Sequence, residues 1–123
     1  MSDRTILVVE DDRDSRTALC LILEALGYQY ISASSGKEAL SLVAQNSAID
    51  LALVDIMMPE MDGYQVLAEL RKIPALENIP VVMVTAKDAD AEVLEGYKYG
   101  ADYYITKPYT AKQIEYGIKL YLE

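Results

Sequence analysis

Residues Leu53–Gly63, "LVDIMMPEMDG", decide how this chain is read. They open as an apolar strand, stop at Asp55, and pass through a proline turn into a Gly-containing helix start. A carboxylate at the end of a buried strand needs a cation or an open pocket. Left unpaired, it costs several kcal/mol or takes up a proton. The residues that could share its pocket lie far off in sequence. Glu10, Asp11 and Asp12 follow a first strand, Thr85 follows a fourth, and Lys107 follows a fifth. Each comes after a short run rich in β-branched or aliphatic residues. If those strands are parallel, all of these side chains meet at one edge of one sheet.

Working outward, Thr5–Val9 is a continuous apolar run, the pattern of a strand buried on both faces. Asp12 or Asp14 can cap the helix that follows, with Ala18, Leu19, Ile22, Leu23 and Leu26 as its apolar stripe and Gly27 as its stop. Tyr28–Ala33 reads as a second strand. Ser35 and Glu38 have capping-box spacing ahead of Ala39, Leu40, Val43 and Ala44. Asp50–Val54 is a third strand. Asp62 and Gln65 repeat the box, Val66, Leu67, Leu70 and Ile73 form the next stripe, and Pro74 ends it. Pro80 precedes a fourth strand, Val81–Val84, where its missing N–H is tolerable. Asp88–Tyr99 is a weak helix with few aliphatics, stopped by Gly100. Tyr103–Thr106 is a short fifth strand. Thr110 and Gln113 give a third box before Ile114, Ile118, Tyr121 and Leu122.

Five strands alternating with five helices predict an α/β fold with a parallel sheet. Right-handed crossovers make it doubly wound: a flavodoxin-like (βα)5 three-layer sandwich, strand order 2-1-3-4-5. That order places the ligand crevice between the C-terminal ends of the first and third strands, where Glu10, Asp11 and Asp55 belong. At 123 residues the chain reads as one domain, 1–123.

The composition narrows the function. Twenty acidic residues against 11 basic ones give a net charge of −9. This argues against nucleic acid or an anionic membrane as a direct partner and suits a cation site or a basic protein partner. The chain contains no His, so His-based acid/base catalysis, Ser-His-Asp chemistry and His-ligated zinc are excluded from it. Its one cysteine, Cys20, lies inside an apolar helical stretch and reads as a reduced core residue. With neither Phe nor Trp, its ten Tyr must serve both core and surface. The start "MSDRTILVVEDD" lacks the apolar segment of a signal peptide, and no apolar run approaches the roughly 18–20 residues that span a bilayer. A cytoplasmic location is expected.

Three converging carboxylates stay ionised only if something positive holds them. Mg²⁺ suits such a site, because it takes oxygen ligands, keeps several waters and needs few protein carboxylates. Lys107 would complement an added phosphoryl group, and the Thr85 hydroxyl would donate a hydrogen bond to it. The pattern is that of a phosphoryl-transfer site with the Asp55 carboxylate as nucleophile.

The segments "VVEDD", "LVDIMMPEMDG", "VMVTA" and "YYITKPY", in that order, resemble the response-regulator receiver domains of two-component signalling. The resemblance covers the whole chain. It implies Glu10 and Asp11 as a metal-binding acidic pair and Asp55 as the phosphorylated residue, with the Met57 carbonyl as a further Mg²⁺ ligand. It also implies Thr85 and Tyr104 as switch residues, Lys107 as the phosphate contact, and a cis Lys107–Pro108 bond. Asp12 reads as a cap or third acidic neighbour rather than a ligand. The implied donor is a His on a sensor histidine kinase or phosphotransfer protein. The implied reader is an effector protein or a fused output domain, reached through the face of the fourth helix, fifth strand and last helix.

Two features depart from many DNA-binding members. Tyr103 follows Asp102, and Thr110–Leu122 contains no Arg, so the salt-bridged dimer of that face is not expected in its usual form. A phosphorylation-dependent dimer stays open. The positions that tune phosphate lifetime in the family are Met57 and Lys87 here, and an apolar Met predicts a long-lived phosphoryl group. The alternatives are a Mg²⁺-dependent aspartyl-phosphate phosphohydrolase and a degenerate receiver that only binds partners. The first usually carries a second Asp at position 57 and a cap domain. The second does not explain the complete acidic, Thr and Lys set.

Overall fold

The computed structural model describes residues 3–85 and 100–122. Five strands, β1 (Thr5–Val9), β2 (Gln29–Ala33), β3 (Leu51–Asp55), β4 (Val81–Thr85) and β5 (Tyr103–Thr106), form one sheet in the order β2-β1-β3-β4-β5. Every neighbouring pair is parallel. Helices α1 (Arg13–Leu26), α2 (Gly36–Gln45), α3 (Gly63–Arg71) and the last helix (Ala111–Leu122) pack on it, with a 3₁₀ turn at Pro74–Leu76. The helix expected over Asp88–Tyr99 lies outside the described residues, and so does Lys87.

The alternation of side chains along each strand divides the core in two. Leu7, Val9, Ala52, Val54, Val81 and Met83 face α2 and α3. Ile6, Val8, Leu51, Leu53 and Val82 face α1 and the last helix, against Leu19, Leu23, Ile114 and Ile118. Burial on both faces explains why β1, β3 and β4 are continuous apolar runs.

The helix ends follow their local chemistry. Asp12, not Asp14, caps α1 by accepting from Ser15 N, and Gly27 ends it at φ 86°. Asp62 and Gln65 close a reciprocal box at α3. Thr110 and Gln113 do the same before the last helix. At α2 the box is not reciprocal: Ser35 Oγ accepts from Glu38 N, but the Glu38 carboxylate takes the N–H of Ser34.

Some of the expected stripes turn outward. Ala18 and Ala44 are exposed, because α1 and α2 turn Cys20 and Leu42 toward the sheet instead. Tyr121 is also at the surface and donates its hydroxyl to Asp102 O at 2.7 Å. The Tyr103 ring centroid stands 6.3 Å from that of Tyr116 and 6.4 Å from that of Tyr121. Arg71, which no sequence pattern marked, donates to Ile79 O at 2.6 Å, Gly100 O at 2.9 Å and Asp102 Oδ2 at 3.2 Å. It thereby ties α3 to the starts of β4 and β5. No described helix is long and apolar enough to cross a membrane.

Candidate functional site

The strand order reverses between β1 and β3, so their C-terminal ends open a crevice that no crossover covers. Val9 pairs with Val54. The next residue on each strand, Glu10 and Asp55, therefore stands at that opening. β4 places Thr85 beside them, and Lys107 N donates to Thr85 O at 2.7 Å, which brings the start of the β5–helix loop to the same edge.

Carboxylate oxygens of Glu10, Asp11 and Asp55 lie within 4.8 Å of one another. Glu10 and Asp55 are buried, at 1% and 5% exposure, and Asp11 is exposed. The Lys107 ammonium is 2.9 Å from Glu10 Oε1 and 3.7 Å from Asp55 Oδ2. Its tighter partner in this state is thus Glu10. Asp12 stands apart as the α1 cap, although its N–H donates to Glu10 Oε2 at 3.2 Å. Among the described residues, the Lys107 ammonium is the cation in ion-pair contact with the cluster, which leaves the three carboxylates with an excess of negative charge, and their hard oxygen donors suit a divalent cation such as Mg²⁺.

Residues 6–119 match the response regulator receiver domain. The chain belongs to that family.

Among curated relatives, the receiver is 39% identical over 119 residues to ycf27 of Porphyridium aerugineum, covering 97% of this chain and 48% of that protein. It is 38% identical over 120 residues to the alkaline phosphatase synthesis transcriptional regulatory protein PhoP of Bacillus subtilis, covering 98% and 49%. The receiver therefore spans about half the length of the curated relatives it matches. Among solved structures, a CheY-like receiver domain protein from Methanospirillum hungatei superposes with TM-score 0.87 at 31% identity, over 97% of this chain and 93% of that one. Chemotaxis protein CheY4 of Vibrio cholerae, at 24% identity, reaches 0.93 over 98% and 100%, a likeness of fold alone. The chain is a receiver domain of two-component response regulators.

The other expected residues spread around the crevice. Thr85 is buried at its wall. Tyr104 is half-buried on β5, against the core cluster beneath α2 and α3. Met57 presents its side chain to solvent, 62% exposed. Just beyond it, Met61 N donates to Pro59 O at 2.7 Å across Glu60, which takes a left-handed φ of 68°. The Lys107–Pro108 bond is cis. Arg16 carried no motif, yet it reaches back from α1 to the acidic loop. Its Nη1 donates to Glu10 O at 2.9 Å and Asp11 O at 3.3 Å. An Arg one turn into a helix is ordinary in sequence, so only the folded loop reveals it.

Burial holds the Glu10 carboxyl above its ordinary 4.5, reinforced by its hydrogen bond to Asp55 and opposed by Lys107. Asp11, although open to solvent on one side, is raised above 3.8 by desolvation and by Glu10. Burial alone would lower the Lys107 ammonium, but the Glu10 hydrogen bond and the Asp55 and Glu10 charges outweigh it and raise it above 10.5. An acid with a raised folded pKa stabilises the fold fully below its unfolded value and loses that contribution as pH rises through the folded one. The metal-free protein is therefore expected to lose this carboxylate contribution as pH climbs from about 4.5 toward neutrality. Denaturant unfolding of wild type and Glu10→Gln over that window checks it, since the variant should be relatively more stable at the upper end. Parallel pH profiles for the two proteins would contradict it. The Lys107 contribution persists through neutral pH and is lost only in strong alkali.

Proposed function

We propose that this receiver, acting in the cytoplasm with residues 1–123 as one unit, accepts a phosphoryl group on Asp55. The donor is a phosphohistidine of a separate kinase or phosphotransfer protein. One observation supports the reading: three carboxylates and an ammonium converge at the switch point of the sheet, and Asp55 belongs to both the carboxylate cluster and the ammonium's contacts. A carboxylate oxygen of Asp55 attacks phosphorus, the P–N bond of the donor breaks with its electron pair left on the imidazole nitrogen, and an acyl phosphate forms.

Glu10, Asp11 and Asp55, with the Met57 carbonyl, are the residues that would hold Mg²⁺. When bound, the ion supplies charge neutralisation to the phosphoryl oxygens. Lys107 contacts the new phosphoryl group, and the Thr85 hydroxyl donates to it. Thr85 movement lets Tyr104 turn inward, which reshapes the β5 and last-helix face for an effector, a fused output domain or a second phosphorylated copy. The net charge of −9 supports a receiver that does not itself contact nucleic acid. The chemistry is confined to its own phosphorylation and slow dephosphorylation.

Intact mass after incubation with acetyl phosphate tests the reading. Wild type should gain one phosphoryl group with Mg²⁺, and neither Asp55→Asn nor metal-free wild type should gain it. No gain by wild type, with Mg²⁺ binding shown separately, would favour a receiver that only binds partners. Met57 offers no group to orient an attacking water, so phosphoryl-Asp55 should be long-lived, and Met57→Gln should shorten its lifetime several-fold once donor is removed. A wild-type half-life of only seconds with Mg²⁺ present would contradict this; decay of the phosphorylated mass reads it directly.

A further inference from the structure

The acidic loop after β1 has to aim two carboxylates, Glu10 and Asp11, into one small space. Its side chains are pinned from several sides. Glu10 Oε1 receives Lys107 Nζ and Oε2 receives Asp12 N. Its backbone leaves the sheet after Glu10 N donates to Ala33 O at 3.1 Å. The next two carbonyls, of Glu10 and Asp11, both receive Arg16 Nη1. One guanidinium nitrogen thus fastens the two consecutive peptide units that carry these carboxylates. Arg16 itself is half-buried on a helix whose start is held by the Asp12 cap, so its reach back over six residues closes a small ring of loop and helix turn.

We infer that Arg16 is a positioning residue for the cation site: it sets the backbone of Glu10 and Asp11 and so the convergence of their carboxylates. The inference rests on the proposed reading of that site as a Mg²⁺ centre. It assigns Arg16 no contact with metal or phosphoryl group. Groups that orient metal ligands from behind commonly change affinity by about tenfold or more when removed.

Two effects of removing Arg16 have opposite signs. As a bare positive charge near a cation site, the guanidinium opposes Mg²⁺, so its loss would tighten binding. As a clamp on the loop it favours Mg²⁺, and its loss would weaken binding. The experiment is calorimetric titration of Mg²⁺ into wild type, Arg16→Met and Arg16→Lys, with denaturant unfolding of each in chelator. Arg16→Met keeps the apolar stem and should bind Mg²⁺ about tenfold more weakly. Arg16→Lys keeps the charge and one donor group and should recover part of the affinity. All three should remain folded without metal at the temperature of the titration.

Unchanged or tighter binding by Arg16→Met overturns the inference. So does weakening in proportion to a loss of fold that Arg16→Lys shares equally. Asp55→Asn in the same titration separates the two levels of the reading. If wild type binds no Mg²⁺, or Asp55→Asn binds it as wild type does, the metal reading itself fails and Arg16 falls with it. If Asp55→Asn weakens binding and Arg16→Met does not, only the role of Arg16 fails.

Discussion

Lys107→Met is expected to slow phosphorylation of Asp55 by about 100-fold, the usual loss when one preorganised charge donor is removed from a transition state. The same variant should not weaken Mg²⁺ binding. The two outcomes divide because Lys107 occupies the carboxylate cluster as a competing cation, 2.9 Å from Glu10 and 3.7 Å from Asp55. Removing it leaves the carboxylates more negative, which favours a divalent ion, while the incoming phosphoryl oxygens lose their fixed partner. The metal-free variant should also be less stable, because buried Glu10 loses the counter-charge that offsets its desolvation and its repulsion by Asp55. Time-resolved intact mass with acetyl phosphate reads the rate, and calorimetry reads the metal. Equal losses of rate and of Mg²⁺ affinity would mean that Lys107 only supports the fold of the site.

Gly63→Ala should lower stability by about 2 kcal/mol, with the site deformed at the same time. A Cβ at Gly63 would stand 2.6 Å from Asp55 O, 2.8 Å from Ile56 Cα and 2.8 Å from Met83 Cε. The first two are backbone atoms of the strand end that carries Asp55, and they cannot give way as a side chain does. Overpacking of this kind costs about 1–3 kcal/mol or more, partly offset by the better helix propensity of Ala. The close approach is itself a device: Gly63 N donates to Ile56 O at 2.9 Å, clamping the start of α3 to the residue after Asp55. Gly36→Ala is the control. Its Cβ would meet Val66 Cγ2 at 2.6 Å and Met61 Sδ at 2.7 Å, both side-chain atoms. Denaturant midpoints should therefore fall further for Gly63→Ala. A Gly36→Ala as unstable as Gly63→Ala would show that side chains here yield no more readily than backbone.

Most of the architecture was legible in short stretches because it follows from local rules. Continuous apolar runs marked strands buried on both faces, and Gly27, Asp62 and Thr110 marked helix ends through bonds to backbone groups only a few residues away, whereas the choice of Asp12 over Asp14 at α1 came from the structure. The residues expected at strand ends, Glu10, Asp11, Asp55, Thr85 and Lys107, could be named because each immediately follows or ends such a run. Ala18 and Ala44 were misplaced for a related reason: a small apolar residue contributes to a helical period whether or not its face reaches the sheet, and Cys20 and Leu42 fill those positions instead.

By itself, the sequence determined the order of the described strands and helices, several of their caps, and which side chains stand at the C-terminal ends of the strands. Only the tertiary structure decided which carboxylate holds Lys107, that Arg16 grips the carbonyls of Glu10 and Asp11, that Arg71 joins α3 to β4 and β5, and that α3 begins in contact with the backbone of Asp55. Periodicity and capping act over one or two helical turns, whereas the Lys107–Glu10 pair joins residues 97 apart, at a distance set by the stacking of parallel strands.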